Sequence, residues 1–468
     1  MSDPGPPADP ESAAGGGPGA LTSAATPPTT DGEATVTTTQ AVRVEALRAA
    51  QAQAEAAQAL APRAGEAASG PEAPPASPES APKPTELAPP AQAQTPRPPA
   101  TPRRMVGLDV ARGLMLVVSV AVNAWITAPA WFEHAPWEGV HPLDLVFPTF
   151  VTLSGCGLAF AYGRRVPWRP TIRRVCVLLA AGFANNAHTQ YMVTGEVSWG
   201  SFHVLGVLQF YAALVLLVAV LHLLLRRWWL WPLWTLALAG GYTWALAAFA
   251  TGCPDDALTR ACNPSGLLDP ALFGAGHVYH QGRFGHDPEG VVALVGALVA
   301  ISGGASMGHL LKGSHLRGAR LAAAGAGLVA AFAAAAWACS AYVPTMKRLW
   351  TPPFALGVAS GCALVLLVLH LLLDEGDRPR WTGALSYPLV GLGRNSLLVY
   401  FGSHVLMTTL LFLPRDTDGV PGPASWAHRL AATAPGGLDP ALWLVLAAVA
   451  AWTVLACLLH ARRIYLRP

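Results

Sequence analysis

His134 lies in the segment Trp131-Phe132-Glu133-His134-Ala135-Pro136-Trp137-Glu138-Gly139, between Pro129 and Pro136, which restrict its backbone. An imidazole with an ordinary pKa near 6.5 can take up and release a proton at neutral pH, so this position suits a general base or a transient acyl carrier. The plainer reading is a solvated loop histidine beside an interfacial tryptophan belt. Upstream, Asn123 offers amide donors and an acceptor, which can hold a carbonyl oxygen or stitch two helices together. Asp109 and Arg112, three residues apart, can pair across one helical turn; they lie about 21 Å from Asn123 along a helix, at 1.5 Å per residue.

Three further clusters hold polar groups. His277, His280 and His286 precede Asp287-Pro288-Glu289-Gly290. Their spacing fits no common metal-ligand pattern and the carboxylates suit a helix N-terminus, so no metal is expected. Met346-Lys347-Arg348-Leu349-Trp350-Thr351-Pro352 places two cations beside an indole, chemistry that can hold an anion or a sugar or anchor to lipid headgroups. Arg394-Asn395-Ser396 is followed by Tyr400 and His404. Asn395 and His404 fall on opposite faces of a straight helix, and share one site only if the helix is broken.

The elements that must position these groups are membrane helices. Of 468 residues, 53% are apolar and 12% charged, where a soluble domain carries roughly 25% charged. Ten apolar stretches are long enough to cross the hydrocarbon: 108–129, 143–163, 175–194, 203–225, 229–250, 290–311, 319–341, 354–373, 386–413 and 440–460. The fold class expected is all-α, a polytopic membrane helix bundle of about ten transmembrane helices. Residues 1–104, rich in Pro, Ala and Gly and without hydrophobic period, are expected to be a disordered cytoplasmic arm; residues 105–468 form the membrane domain. No signal peptide is read in the arm.

Upstream of Arg103 the arm holds 5 basic and 11 acidic residues, leaving 25 basic against 16 acidic in the rest. Seventeen of those basic residues fall on one side: Arg103/Arg104, the five arginines from Arg164 to Arg174, Arg226/Arg227, Lys312/Arg317/Arg320, Arg378/Arg380 and Arg462/Arg463/Arg467. The other side holds six: Arg260, Arg283, Lys347, Arg348, Arg415 and Arg429. The asymmetry predicts two cytoplasmic termini in the plasma membrane, with His134 outside. Nucleic-acid binding is excluded by this composition. Lysine occurs only at 83, 312 and 347, none of them mid-helix, which argues against a Schiff-base site inside the bilayer. Of seven cysteines, Cys253 and Cys262 share one outward polar loop and are expected to be oxidised together.

Taken in order, these segments resemble the catalytic membrane region of the heparan-alpha-glucosaminide N-acetyltransferase family. The resemblance rests on Leu108-Asp109-Val110-Ala111-Arg112-Gly113, the interval from Asn123 to His134, His134-Ala135-Pro136-Trp137-Glu138-Gly139, Asp144-Leu145-Val146-Phe147-Pro148, Gly206-Val207-Leu208-Gln209, Asp287-Pro288-Glu289-Gly290, Lys347 to Pro352, and Arg394-Asn395-Ser396 with Tyr400. It covers about residues 105–413. It implies an acyltransferase that takes acetyl-CoA as co-substrate from the cytosol and delivers the acetyl group to an amino sugar across the membrane. His134 matches the family's active histidine and Asn123 its partner. Asp109, Arg112, Trp137, Asp144, Gln209, Asp287, Glu289, Lys347, Arg348, Trp350, Asn395 and Ser396 are implied to bind acceptor or acyl-CoA. Two departures stand out: Phe210 and Tyr211 occupy the places of a usual Arg-Ile, and Pro136 and Glu138 replace a usual Ser and Asn. The excess of Ala, Gly and Pro suggests a GC-rich bacterial genome, which makes a cell-envelope glycan an alternative acceptor. Two other readings remain open, a transporter or export protein using the same polar helices and an inactive acyltransferase-like scaffold, as does homo-oligomerisation. Against export, no internal repeat is found.

Overall fold

The structure, a computed structural model, describes residues 105–162, 165–375, 380–414 and 423–466. The arm expected over residues 1–104 lies outside them, as do Arg103, Arg104, Arg164, Arg378, Arg415 and Arg467 of the charge asymmetry. Among the described residues the chain is helical, with one isolated parallel bridge between Gly139 and Met346 and no strand. The helices are α1 (Val106–Ala124), α2 (Val146–Ala161), α3 (Trp168–Thr194), α4 (Val207–Leu224), α5 (Leu230–Ala250), α6 (Pro264–Phe273) and α7 (Val291–Gly313). They continue with α8 (Gly318–Ser340), α9 (Pro352–Leu373), α10 (Arg380–Arg394), α11 (Ser396–Phe412), α12 (Trp426–Ala431) and α13 (Pro440–Ala461).

Among the described residues eight segments are long and apolar enough to cross a membrane: α1, α2 with its lead-in turn from Pro142, α4, α5, α7, α8, α9 and α13. The pair Thr382–Arg394 and Ser396–Phe412, bent by 72°, makes a ninth when counted as one broken span. The tenth expected span, 175–194, is helical but begins earlier, at Trp168. Pro167 and Pro170 suit a helix start, and Arg169, Arg173 and Arg174 sit on the helix rather than in a loop. Those arginines, with Asn185, Asn186, His188 and Gln190, leave α3 too polar to pass as a span by composition.

Packing follows from small residues, because between helices in lipid the hydrophobic effect supplies little. A Cβ on Gly155 of α2 would overlap the Ile301 carbonyl of α7, and one on Gly304 would overlap that of Thr152. Close backbone approach makes α7 the central helix: 78% of its spanning window is buried, against 17% for α8 and 22% for α13. Those two present apolar surface outward, Trp337 being 80% exposed. Helix ends are closed by charges from neighbouring elements. Asp374 accepts from the first N–H groups of α1, Val106 at 2.8 Å and Gly107 at 3.0 Å. The Lys312 ammonium donates to the last carbonyls of α2, at 3.0 Å to Ala159, 2.9 Å to Phe160 and 3.0 Å to Tyr162. Val106, Tyr162, Lys312 and Asp374 thus mark one end of the bundle, and the loops holding His134, Asp287 and Arg348 mark the other.

Candidate active site

The loop from Trp125 to His141 folds around a single carboxylate. Asp144, 1% exposed, accepts from His134 Nδ1 at 2.5 Å through Oδ1. Its Oδ2 accepts from the Ala135 N–H at 3.1 Å and the His141 N–H at 2.9 Å. With Nδ1–H donated to the carboxylate, Nε2 carries the lone pair, which is the tautomer a base or nucleophile needs. Asp144, implied by the resemblance to be a ligand-binding residue, is placed here as the residue that orients His134. Burial, followed by the cation of Lys347, lowers the His134 pKa to about 4 against the pull of Asp144, although 37% of its side chain still meets solvent.

A second turn locks the same loop from the other side. Trp350 adopts φ +48°, costly for a bulky residue, and is held there by full burial and by its indole N–H, which donates to the Pro288 carbonyl at 3.2 Å. Thr351 Oγ1 closes the turn by donating to Pro344 O at 2.8 Å, and Gly139 N–H donates to Thr345 O at 2.9 Å. The turn presents Arg348, whose guanidinium donates to Ala135 O at 3.1 and 3.3 Å and lies against the Tyr279 phenol. Lys347, 8% exposed, stands in the field of both Asp144 and Glu289. Trp137 donates from its indole to Leu258 O at 2.8 Å and packs edge-on to His286. Trp137 and Trp350 therefore spend their N–H groups on the scaffold.

Behind this loop the helices enclose two cavities whose walls share Val207, Leu208 and Tyr400. One is lined by Arg112, Phe147, Phe150, Arg174, Tyr211 and Ser396. Arg174 donates to the Tyr211 hydroxyl and stacks over its ring at 5.5 Å, and Arg112 donates to Leu153 O at 3.4 Å. The other is lined by Asn185, Asn186, His203, Gln209, Tyr279, Glu289 and His404. There Asn186 pins the loop before α4 by donating to Leu205 O at 2.9 Å and His203 O at 3.3 Å. His203 Nε2 meets Asp287 Oδ2 at 2.9 Å, and Asp287 also accepts from the N–H groups of Tyr279 (2.8 Å) and Glu289 (3.0 Å).

The remaining residues implied to act are spread wider. Asn123 Nδ2 donates to Ser403 Oγ at 3.4 Å, tying α1 to the helix that carries Tyr400 and His404. Asp109 is buried where α1 meets Gly393 of α10, nearer the Asp374 end. Asn395 sits at the break between α10 and α11, donating to Gly391 O at 3.2 Å and accepting from Leu466 N–H at 3.3 Å. It supports the break; of the Arg394-Asn395-Ser396 run, Ser396 reaches a cavity wall. His203, Arg174, Asn185, Asn186 and Tyr279 were not singled out from sequence. The visible signal was the pair Asn185-Asn186 inside an apolar stretch, where amides need partners.

Residues 104–258 match the family model described as heparan-alpha-glucosaminide N-acetyltransferase, catalytic. That stretch holds Asp109, Arg112, Asn123, His134, Trp137, Asp144 and Gln209. Two curated relatives, the human and the mouse heparan-alpha-glucosaminide N-acetyltransferase, are each 25% identical to this chain, over 408 and 409 residues. Each match covers 74% of this chain and 59% of the relative, so the chain spans less than two thirds of the length of the relatives it matches.

Proposed function

From the similarity of residues 104–258 to that family model and of 74% of the chain to the two curated relatives, we propose that the chain moves an acetyl group from cytosolic acetyl-CoA to the amine of an amino sugar or envelope glycan on the opposite side of the membrane. The observation that carries this reading is the His134–Asp144 pair, clamped through Ala135 and Arg348 to a wall of the interior cavities. The cavities suit the donor's chemistry. Two guanidiniums, Arg112 and Arg174, fit phosphate groups; the rings of Phe147, Phe150 and Tyr211 fit a planar base; the amides of Asn185, Asn186 and Gln209 fit the amide-bearing arm. Arg174 supplies from α3 a cation that Phe210 and Tyr211 do not.

Neutral His134, its Nδ1–H held by Asp144, takes the proton of the attacking amine on Nε2, or itself carries the acetyl group between thioester and amine. In either route a C–N bond to the acceptor forms, the thioester C–S bond breaks, and CoA leaves as the thiol. Asn123, with a second amide proton beyond the one given to Ser403, is a donor for the tetrahedral oxyanion. The protein is read as a plasma-membrane protein with both termini cytoplasmic. The test is incubation of purified protein with radiolabelled acetyl-CoA and a panel of amino sugars, beside His134→Ala. Label should enter at least one amine with the native chain, and His134→Ala should abolish it while still binding CoA. Export of solute without acetyl transfer would replace this reading with a transporter, and near-normal turnover of His134→Ala would remove its basis.

A further inference from the structure

Away from the interior cavities, a third cleft of about 410 Å³ opens at the His134 end, and the charged residues lining it are Arg260 and Arg283. Among the described residues no carboxylate lines it. Loops on the His134 side hold only six basic residues, and two of the six come to this one place from either side of α6. A buried frame holds them there. Asn263, 2% exposed, donates to the carbonyls of Arg260 at 3.1 Å and Gly285 at 2.8 Å, so one amide ties the two arginine-bearing segments together. Gly285 has φ +65°, and a Cβ there would overlap the Arg260 carbonyl, so glycine is what lets the segments approach. Arg283 is braced by donating to Gln281 Oε1 at 3.0 Å. Two like charges fixed at one cleft repel each other, and an anion bound to both turns that cost into attraction.

The cleft lies at the level where spanning helices end. α6 is fastened to the first turn of α7, Asp269 accepting from the Val291 N–H at 2.8 Å and from Ser265 Oγ at 2.6 Å. From there it turns Leu267 and Leu272 outward, 65% and 62% exposed. Leu267 lines the cleft together with Phe249, which sits in the last turn of the spanning helix α5. Trp244, exposed within two turns of Phe249, marks the same depth as an interfacial indole does. Apolar surface therefore runs from a spanning helix up to two guanidiniums. We propose that this cleft binds an anionic phospholipid of the leaflet at the His134 end, Arg260 and Arg283 holding the headgroup phosphate while Leu267 and Phe249 meet the chains. The planar guanidinium fork can donate to two phosphate oxygens at once. A soluble phosphate would use the arginines but not the leucine. Because Arg260 also donates to Pro136 O, the lipid adjoins the loop that carries His134, and the discriminating variant belongs at Arg283 instead. Such binding holds whatever reaction the interior supports.

The test places the purified full chain in phosphatidylcholine nanodiscs doped with phosphatidylglycerol that carries a photoreactive diazirine in its headgroup, and maps the adducts by peptide mass spectrometry after irradiation. Adducts should gather on the peptides holding Phe249, Arg260, Leu267 and Arg283. Arg283→Gln should lower the yield there about 10-fold, the scale of one lost charge-assisted hydrogen bond, while adducts at the Asp374 end stay constant and report intact insertion. Arg283→Lys, which keeps the charge, should keep most of the yield, and Leu267→Gln should lower it. The same diazirine on phosphatidylcholine should label these peptides far less. Equal labelling by the two lipids, no adducts on these peptides, or a yield unmoved by Arg283→Gln each overturns the proposal. Soluble glycerol phosphate that competes fully at the concentration of the lipid probe also overturns it, by assigning the cleft to a phosphate without chains.

Discussion

A histidine that works as a base must be neutral at the working pH, and the surroundings of His134 favour that form. Burial and the Lys347 cation lower its pKa to about 4, while Asp144 opposes them. Under the proposed function the neutral imidazole is the active form, so lowering the pKa preserves activity as pH falls through 6.5, and activity is lost only as pH falls through about 4. The acid limb of kcat/KM for acetyl transfer should therefore lie near pH 4. Lys347→Met removes a cation that disfavours protonation, so the limb should move to higher pH. A native limb near 6.5, unmoved by Lys347→Met, would show that neither residue bears on the rate in this way. At this scale the sequence made His134 legible, because prolines and aromatics bracket it. Asp144 was legible as an acid of interest but not as the partner of His134. His203 was missed because Asp287 lies 84 residues away, and a pairing across that separation leaves no spacing to read.

The loop that carries His134 has little regular structure of its own, so other elements must hold it. Cys253 and Cys262 are disulfide-bonded, as the shared polar loop led one to expect, and the bond closes a segment that grips the loop twice. Leu258 O accepts from the Trp137 indole at 2.8 Å, and the Arg260 guanidinium donates to Pro136 O. Both contacts fall within three residues of His134. Replacing Cys253 and Cys262 together by Ser should leave insertion and CoA affinity intact but lower the transfer rate roughly 10- to 100-fold, the scale of a small misplacement of a reacting group. Native turnover in that double variant, measured without reductant, would show that the bond does not position the loop. Spans were legible from apolar runs, apart from α3, whose arginine-rich first turns read as a loop because cations were counted as topology signals. The α10–α11 break was half legible: Asn395 and His404 could share a site only across a broken helix, but neither the 72° bend nor the bonds of Asn395 at it, to Gly391 and to the distant Leu466, left a spacing to read.

For the whole molecule, two independent features give the bundle the same direction. The end marked by Val106 and Asp374 gathers the cations: Lys312 reaches the end of α2, and Gly313 packs against Trp228, beside Arg227. Cations at one end favour the cytoplasmic side of a membrane. The opposite end carries the disulfide, which persists in an oxidising space, together with His134. The charge asymmetry was readable without coordinates, since it needs only the order of the spans; what the sequence could not give is that Arg112 and Glu289 lie on cavities sharing one wall. Under the proposed function this polarity matters chemically, because a cytosolic donor and an acceptor on the far side meet only if the path runs from the Arg112 end to the His134 end. Single cysteines placed by Glu138→Cys and His315→Cys, both exposed and at opposite ends, read the orientation. In intact expressing cells a membrane-impermeant maleimide should label the Glu138→Cys chain at once and the His315→Cys chain only after permeabilisation. The opposite pattern would invert the bundle, put His134 on the same side as the acetyl-CoA pool, and leave transfer across the membrane without a purpose.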